Sequence, residues 1–389
     1  MSADGDMVEI EVVKGAGLIA AAAWNACAGP DNPFVSHEFF ACAESSGCAT
    51  AAKGWAPHHL VMRRADGTVI GIMPLYLKNH SYGEYVFDHG WAQAYERAGG
   101  RYYPKLQSSV PFTPVTGPRF LVHPQADRPS VESALLRGAI QIAESNNISS
   151  LHITFAQEGE WQRLGELGLL QRIDQQFHWE NRGYSRFDDF LGALTSRKRK
   201  QMKRERRDAV QDGAIEVLSL TGDALRPEHW DAFNRCYLAT AAHKWGSPYL
   251  NRDFFRHLHE TMADKVLLVL ARREGRFIAG ALNLIGTDTL YGRNWGATED
   301  HPFLHFEVCY YRAIDFAIER GLAKVEAGAQ GEHKLARGYV PSPTYSLHWI
   351  ADPGFRRAVA DYLKRERAAV ASEAAILEEH VPYRHEDGS

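Results

Sequence analysis

Two short hydrophobic runs along the chain have the same outline. Residues 60–67, LVMRRADG, and residues 268–275, LVLARREG, each pass from apolar residues to charged ones and then to a glycine. Each run continues into a second apolar stretch, at 68–77 and at 276–285. Apolar stretches joined by Asp-Gly or Glu-Gly predict two β-hairpins.

Each predicted hairpin is followed by a helical pattern and then by a short strand. Residues 134–155 and 309–327 both place apolar residues at helical spacing, then a turn, then a mostly apolar strand. Because both pairs occur in the same order, the pattern indicates a duplicated α/β unit with a mixed sheet. The polar and aromatic segment 170–190 separates the halves, so we expect an N-terminal unit at 1–180 and a C-terminal unit at 181–389.

The composition is that of an ordinary globular protein large enough for two such units. The chain has 389 residues, of which 45% are apolar and 24% charged. Its formal net charge is -4, so any anion-binding site must be local. The five cysteines form no CxxC pair, which favours reduced thiols and a cytoplasmic location. No apolar run reaches about 18 residues, so we expect no membrane span. The oligomeric state stays open.

Several longer stretches carry a resemblance to a known family. They lie at 80–106, 111–120, 190–210, 244–250, 290–297 and 326–339. The order of elements resembles that of the GNAT acyltransferases, and the tandem resembles the FemAB-like group, often labelled peptidoglycan biosynthesis or recognition. The resemblance covers nearly the whole chain. It implies an α/β (α+β mixed-sheet) fold of two tandem GNAT-like units and an N-acyltransferase or aminoacyltransferase.

The turn at 299–306, EDHPFLHF, bears on the acyl donor. In GNAT enzymes that use acetyl-CoA, a glycine-rich loop presents backbone N–H groups to the pyrophosphate at a helix N-terminus. This turn has no glycine, and Pro302 removes one N–H donor. The corresponding stretch of the first half, 120–130, also lacks glycine. The missing loop favours aminoacyl-tRNA as the donor, with a small amine or a cell-wall precursor as the acceptor.

Two other interpretations keep the same fold. One is an acyltransferase that binds acyl-CoA in an unusual way. The other is a non-catalytic protein that binds tRNA or a cell-wall precursor. No metal is expected, because the chain contains no HExxH motif and no Asp-rich calcium loop. No resident cofactor is expected either, because aminoacyl-tRNA or acyl-CoA would serve as a co-substrate.

The catalytic candidates lie in the second half. Glu326 falls within a short apolar strand, where a buried charge is costly unless it is paired, and Arg293 on the preceding strand is its natural partner. An acceptor amine must lose a proton as it attacks a carbonyl, and either Glu326 or His333 could take that proton. Arg293, or backbone N–H groups near 328–331, could stabilise the oxyanion. The alternative is a purely structural ion pair with His333 as a surface residue.

Residues 196–207, SRKRKQMKRERR, concentrate positive charge. Eight of these twelve residues are Lys or Arg, and only Glu205 opposes them. We expect one helix over 187–210, with the cations at 197–200 spread around most of its circumference. The resemblance implies phosphate contacts, for which the candidates are Arg197, Lys198, Lys200, Lys203 and Arg204. The alternative is a basic surface helix without a partner.

The remaining substrate-binding candidates come from two segments. The segment 80–106 is unusually rich in aromatic residues, which can stack on a base or a sugar or fill a core. The loop after Glu326 is rich in glycine and ionisable residues. From these segments and the strand before them we select Tyr85, Tyr103, Lys105, Trp295, Gln330, Lys334 and Arg337.

Overall fold

The computed structural model describes residues 8–210, 213–244, 247–328 and 332–384. The chain divides into two compact units: Met1–Asp174 with Pro343–Ala371, and Gln175–Ser342 with Ser372–Ser389. This division differs from the single boundary after residue 180, because the chain returns to the first unit at 343–371. No helix in the described ranges is both long and apolar enough to cross a membrane.

The strands, in chain order, are β1 (Val8–Val13), β2 (Trp55–Pro57), β3 (His59–Arg64), β4 (Val69–Met73), β5 (Tyr76–Lys78), β6 (Lys105–Ser108), β7 (Leu121–Val122), β8 (Ser150–Ala156), β9 (Leu170–Glu180), β10 (Ile215–Leu220), β11 (Val266–Arg273), β12 (Arg276–Ile285), β13 (Thr289–Ala297), β14 (Lys324–Glu326) and β15 (Val340–Ile350). The helices are α1 (Ala21–Ala28), α2 (His37–Ser45), α3 (His89–Arg97), α4 (Arg128–Ser145), α5 (Glu158–Glu166), α6 (Phe187–Ala193), α7 (Ser196–Ala209), α8 (Pro227–Lys244), α9 (Arg252–Met262), α10 (Leu304–Phe306), α11 (Arg312–Glu319) and α12 (Pro353–Glu378).

The first unit contains two sets of strands that share one helix. An antiparallel sheet has the order β1-β3-β4-β7, and a second set has the order β15-β8-β6-β5-β2, in which only β6 and β8 are parallel. Apolar residues of α4 pack into one core with both sets. The approach is close at Gly71 of β4, where a Cβ atom would lie 2.4 Å from Cγ1 of Val131.

The second set of strands in this unit has two different faces. One face is apolar and contributes Leu106, Leu151 and Leu347 to the core with α4. The opposite face carries a row of basic residues across four strands, in the order Lys78, Lys105, His152 and His348. All four are buried. Side chains from the segment 79–104 contact this row.

The second unit has one set of strands in the order β10-β11-β12-β13-β14-β9. Only β13 and β14 are parallel, and α11 connects their two ends. On one face α8 approaches β13 so closely that a Cβ atom at Gly296 would lie 2.2 Å from the backbone of Cys236. The opposite face packs against a core that includes α6, α7 and α11.

Both predicted hairpins are confirmed. Strands β3 and β4 pair around Gly67, and strands β11 and β12 pair around Gly275. Both glycines have positive φ angles, of 86° and 76°. The two predicted helix–strand pairs are also present, as α4 with β8 and α11 with β14.

The prediction of one helix over 187–210 is wrong, because the chain forms α6 and α7 with a break between them. Leu194 and Thr195 adopt extended backbone angles. Leu194 is fully buried and forms a β-bridge with Tyr383, so its backbone is paired outside any helix. This tertiary pairing overrides the local helical pattern.

Candidate functional site

The candidate site lies where two parallel strands of the second unit part. Strands β13 and β14 pair over only three residues each, from Thr289–Tyr291 and Lys324–Glu326, and β13 then continues to Ala297 paired with β12. The register between β12 and β13 shifts here, since Leu282 pairs with Asn294 while the next residue pairs with Gly292. Arg293 is therefore the extra residue of a β-bulge, a feature that re-aims side chains next to active sites.

An ion pair occupies the point where these strands part. Nη2 of Arg293 lies 3.1 Å from Oε2 of Glu326, and both side chains are about 95% buried, with exposed fractions of 4% and 5%. Nη1 of Arg293 also donates to the carbonyl oxygen of Gly292. The expected pairing is present, and a catalytic role for its members stays a prediction. Since a buried charge without a partner is costly, each residue holds the other in place.

His178 is a member of the site that the sequence interpretation missed. It lies on β9, directly opposite Glu326 of β14, and its Nε2 atom lies 4.0 Å from Oε1 of that carboxylate. Its Nδ1 atom is buried and has no hydrogen-bond partner among the described residues. Burial lowers the pKa of His178 to about 4, although the carboxylate of Glu326 opposes this shift. The imidazole is therefore neutral at pH 7.

Lys334 brings a second titratable group to the site. It lies on a 3₁₀ helix, Glu332–Arg337, and is only 2% exposed. Its Nζ atom donates to the carbonyl oxygen of Gly328, two residues beyond Glu326. Burial and the nearby charge of Arg293 lower the pKa of Lys334 to about 7. An amine with this pKa exists in both protonation states at neutral pH.

Aromatic rings line the adjoining surface. His333 is exposed, and its Nε2 atom lies 2.9 Å from the hydroxyl of Tyr310, a residue of the π-helical turn Glu307–Tyr311. Single π-helical turns occur often at functional sites. The ring of His305 lies 5.0 Å from that of Trp295 and 5.9 Å from that of His333. Trp295, His305 and His333 thus form one continuous aromatic surface, which we call the aromatic wall.

The loop after Glu326 contains two further substrate-binding candidates, Arg337 and Gln330. Arg337 is buried, and its Nη2 atom lies 2.9 Å from Oε2 of Glu205. The ion pair holds the guanidinium inside the fold, and a substrate contact of Arg337 stays a prediction. Gln330 lies outside the described residues.

Helix α7 has an exposed face rich in cations and a buried face opposite to it. Arg197, Lys200, Lys203, Arg204 and Arg207 are exposed, and we call these five residues the cationic face. Met202, Glu205 and Ala209 are buried on the opposite side. The expected spread of the cations at 197–200 around the helix is present, since Arg197 and Lys200 are exposed whereas Lys198 and Arg199 are half-buried.

The cations of α7 differ in their ion pairs and burial. Arg206 pairs with Glu307 at 3.0 Å and with Asp315 at 2.6 Å. Lys198 is half-buried at the start of the helix. Lys203 lies 3.6 Å from Asp188, but both side chains are mostly exposed, so this pair contributes little to stability. Among the described residues, Arg197, Lys200 and Arg204 have no ion-pair partner.

Of the three candidates in the first unit, one is buried and two are half-buried. Lys105 is completely buried, and its Nζ atom donates to Glu84 at 2.6 Å and to Asp88 at 2.5 Å. Both carboxylates hold Lys105 inside the first unit, and its contact with substrate stays a prediction. Tyr103 is half-buried, and its hydroxyl lies 2.8 Å from that of Ser81. Tyr85 is half-buried with a φ angle of 59°.

Comparison with models of known protein families shows the family to which the chain belongs. The model of the FemAB-like family, described as peptidoglycan biosynthesis/recognition, matches residues 16–385. The chain belongs to the FemAB-like family. No curated protein matches its sequence.

Several solved structures resemble this FemAB-like chain in fold. FemX is 13% identical with a TM-score of 0.55, and the match covers 88% of this chain and 98% of FemX. A protein of unknown function from Bacteroides thetaiotaomicron is 12% identical with a TM-score of 0.52, covering 88% and 100% of the two chains. The structure of L-PGS from Bacillus licheniformis is 9% identical with a TM-score of 0.50, covering 86% and 98%. The predicted mixed α/β fold is confirmed, and these solved structures share it.

Proposed function

We propose that this protein transfers an aminoacyl group from tRNA to an amine acceptor and so forms an amide. The observation that carries the proposal is the set of Glu326, Arg293 and Lys334 at the point where β13 and β14 part. An exposed cationic face on α7 of the same unit supports a phosphate-bearing donor. The family description supports an acceptor among cell-wall precursors.

The reaction needs two proton transfers. As the acceptor nitrogen attacks the ester carbonyl, a C–N bond forms and the C–O bond to the ribose breaks. The acceptor nitrogen loses a proton to Glu326, and protonated Lys334 donates one to the leaving oxygen. Arg293 stabilises the negative charge that develops on the carbonyl oxygen. A proton passing from Glu326 to Lys334 then restores the starting state.

His333 is the alternative proton acceptor. Its ring is exposed and bonded to Tyr310, whereas Glu326 is buried beside Arg293. A base that works in a water-excluded site loses less of its effect to solvent. Burial therefore favours Glu326 as the base, with His333 in the aromatic wall that contacts the acceptor or the terminal base of the donor.

The turn before the π-helical segment supports tRNA over acyl-CoA. It contains Pro302, and Phe303 has a φ angle of 63°, which belongs to the left-handed region. The helix that follows, α10, is only three residues long before the hydrogen bonding changes to the π pattern. Such a turn offers few aligned N–H groups to a pyrophosphate. A donor present in the cytoplasm then implies a cytoplasmic enzyme.

The donor assay tests this function. The purified protein is incubated with aminoacylated tRNA or with acyl-CoA, each with a panel of amines that includes peptidoglycan precursor peptides, and amides are detected by mass spectrometry. We expect amide only with charged tRNA. If only acyl-CoA gave a product, the donor would be acyl-CoA and not charged tRNA. If the protein bound tRNA but formed no product, the non-catalytic interpretation would be favoured.

Two variants separate the candidate bases within the same assay. Glu326→Gln should abolish most of the turnover, and His333→Gln should mainly raise KM. The reverse pattern would make His333 the base.

A further inference from the structure

Glu205 is the one acidic residue among the twelve at 196–207. It lies on α7 opposite the cationic face and is only 2% exposed. Its carboxylate accepts hydrogen bonds from Nε2 of Gln201 at 2.8 Å, from Nη2 of Arg337 at 2.9 Å, and from the hydroxyl of Tyr311. A carboxylate with three donors is held firmly in one geometry.

Arg337 continues this set of contacts away from α7. Its Nη1 atom donates to the carbonyl oxygen of His333 at 2.7 Å, so one guanidinium bridges Glu205 and the backbone next to Lys334. The guanidinium carbon also lies 3.3 Å from the centre of the Phe306 ring. Arg337 ends the 3₁₀ helix Glu332–Arg337, which carries Lys334.

Lys334 completes the connection to the candidate site. Its Nζ atom donates to the carbonyl oxygen of Gly328 at 2.9 Å, just after Glu326 in the chain. Contacts therefore run from Glu205 through Arg337 to the 3₁₀ helix, and from Lys334 to the end of β14. The titratable groups that act on the pKa of Lys334 come from two elements: Arg293 on β13 lowers it, and Cys309 on the π-helical turn raises it.

The neighbouring residue Arg206 gives a useful contrast. It also fixes α7, but through Glu307 and Asp315, which belong to the π-helical turn and α11. Neither partner lies on the 3₁₀ helix that carries Lys334. Of these two adjacent anchors, only Glu205 bonds directly to a residue of that 3₁₀ helix among the described residues.

We propose that Glu205 is a positioning residue which, through Arg337, holds Lys334 in the reacting site. The role in transfer rests on the proposed function, whereas the positioning itself can be measured without turnover. Helix α7 then has two tasks on opposite faces: the cationic face binds phosphates and the inward face places the amine.

The direction of a pKa change distinguishes positioning from plain electrostatics. Removing a carboxylate nearby takes away a negative charge, which by itself lowers the pKa of an amine. Releasing the 3₁₀ helix instead hydrates Lys334, which raises the pKa of its amine towards the ordinary value of 10.5. A rise in Glu205→Gln therefore reports that Lys334 has moved.

The experiment is an NMR titration of protein labelled with ¹³C at the ε carbons of lysine. The Lys334 signal is assigned by its absence in Lys334→Arg. Glu205→Gln is compared with Asp315→Asn, a control that removes a carboxylate paired with α7 but not connected to the 3₁₀ helix. Arg337→Lys is a second test, because one ammonium nitrogen cannot occupy both positions from which Nη1 and Nη2 reach the His333 carbonyl and Glu205.

We expect the pKa of Lys334 to be about 7 in the wild type and in Asp315→Asn, and to rise in Glu205→Gln and Arg337→Lys. In the transfer assay, kcat should fall on the order of 10- to 100-fold while the affinity for tRNA stays within about twofold. An unchanged or lower pKa in both variants would overturn the positioning role. A raised pKa in a protein that transfers no acyl group from any donor would instead refute the proposed function alone.

Discussion

In the first unit, Lys78 and Lys105 face each other on neighbouring antiparallel strands, and both are completely buried. In the second unit, Arg293 and Glu326 lie on parallel strands that part at the next residue. Both units therefore bury charged residues on their sheets. The difference lies in what surrounds those charges.

The buried charges of the first unit form a covered network. Glu84 and Asp88, from the segment that contacts this face, neutralise Lys105, and Nζ of Lys78 lies 3.5 Å from Glu84. Nδ1 of His152 lies 2.7 Å from Nδ1 of His348. Strands β6 and β8 pair immediately beside these residues, from Leu106 to Ser108 and from Leu151 to Ile153. We interpret this network as structural.

The duplicated order of elements also leads to different sheets. In the second unit, β12 pairs with β13, so the hairpin and the site belong to one set of strands. In the first unit, β4 pairs with β7 and not with β5. Pro74 follows β4 and lacks a backbone N–H, so the ladder cannot continue through it. A repeated sequence order therefore fixes neither the pairing nor the site.

The largest expected effect separates the glutamates of the two units. Glu326→Gln should lower kcat by about 1,000-fold, because loss of a general base typically costs between 100- and 10,000-fold. Glu84→Gln, a matched change in the first unit, should leave kcat per folded molecule close to wild type. Steady-state rates below the unfolding temperature measure both. An equal loss in the two variants would erase the distinction between the units.

A stability measurement tests whether the buried charges of the first unit are structural. Asp88→Asn should lower the free energy of unfolding by about 3 kcal/mol, because it removes one of two carboxylates that neutralise buried Lys105. Asp315→Asn, which alters a partly exposed pair, should cost under about 1 kcal/mol. Urea unfolding gives both values. If Asp88→Asn lost turnover without losing stability, the first unit would hold the reaction.

Salt dependence compares the exposed cations of the two units. The triple change Arg197→Gln, Lys200→Gln and Arg204→Gln should weaken tRNA binding and reduce the slope of log affinity against log salt by about 2 to 3. The control changes Arg357, Lys364 and Arg365, exposed cations of α12, to Gln. Fluorescence anisotropy at several salt concentrations measures the slopes. Equal slopes for the two triple variants would show that the cationic face of α7 does not bind the phosphates.

The pH dependence of stability gives the smallest effect. Burial holds the pKa of His348 well below 6.5 and that of His152 at about 3. Below pH 6.5 the unfolded chain therefore binds protons that the folded chain does not. The free energy of unfolding decreases as the pH is lowered. Each histidine adds a slope of up to about 1.4 kcal/mol per pH unit.

His348→Gln removes one of these titrating groups. Its free energy of unfolding should decline less steeply than that of the wild type between pH 6.5 and 5, by up to that slope. Urea unfolding at several pH values tests this, and parallel curves would show that His348 is not buried in its neutral form.

Local sequence patterns predict much of this molecule, because they depend on residues close together in the chain. The hairpin at Asp66–Gly67 follows from turn chemistry, and the pairing of Glu326 with Arg293 follows from the cost of an unpaired buried charge. The inward direction of Glu205 could also have been found, since Met202, Glu205 and Ala209 follow helical spacing.

The rest depends on contacts between distant parts of the chain. His178 enters the site only because β9 lies beside β14, and no local pattern shows which strands are neighbours. The break before α7 depends on Leu194 pairing with Tyr383. The low pKa of Lys334 depends on its burial next to Arg293, which a polar stretch of sequence does not indicate.

The most direct test of the central claim is hydrogen–deuterium exchange with a non-hydrolysable analogue of aminoacyl-tRNA. If the reacting site lies in the second unit, the analogue should protect peptides that cover α7, β13 and β14. Peptides that cover β5 and β6 of the first unit should exchange as they do in the free protein. Protection confined to β5 and β6 would contradict the account.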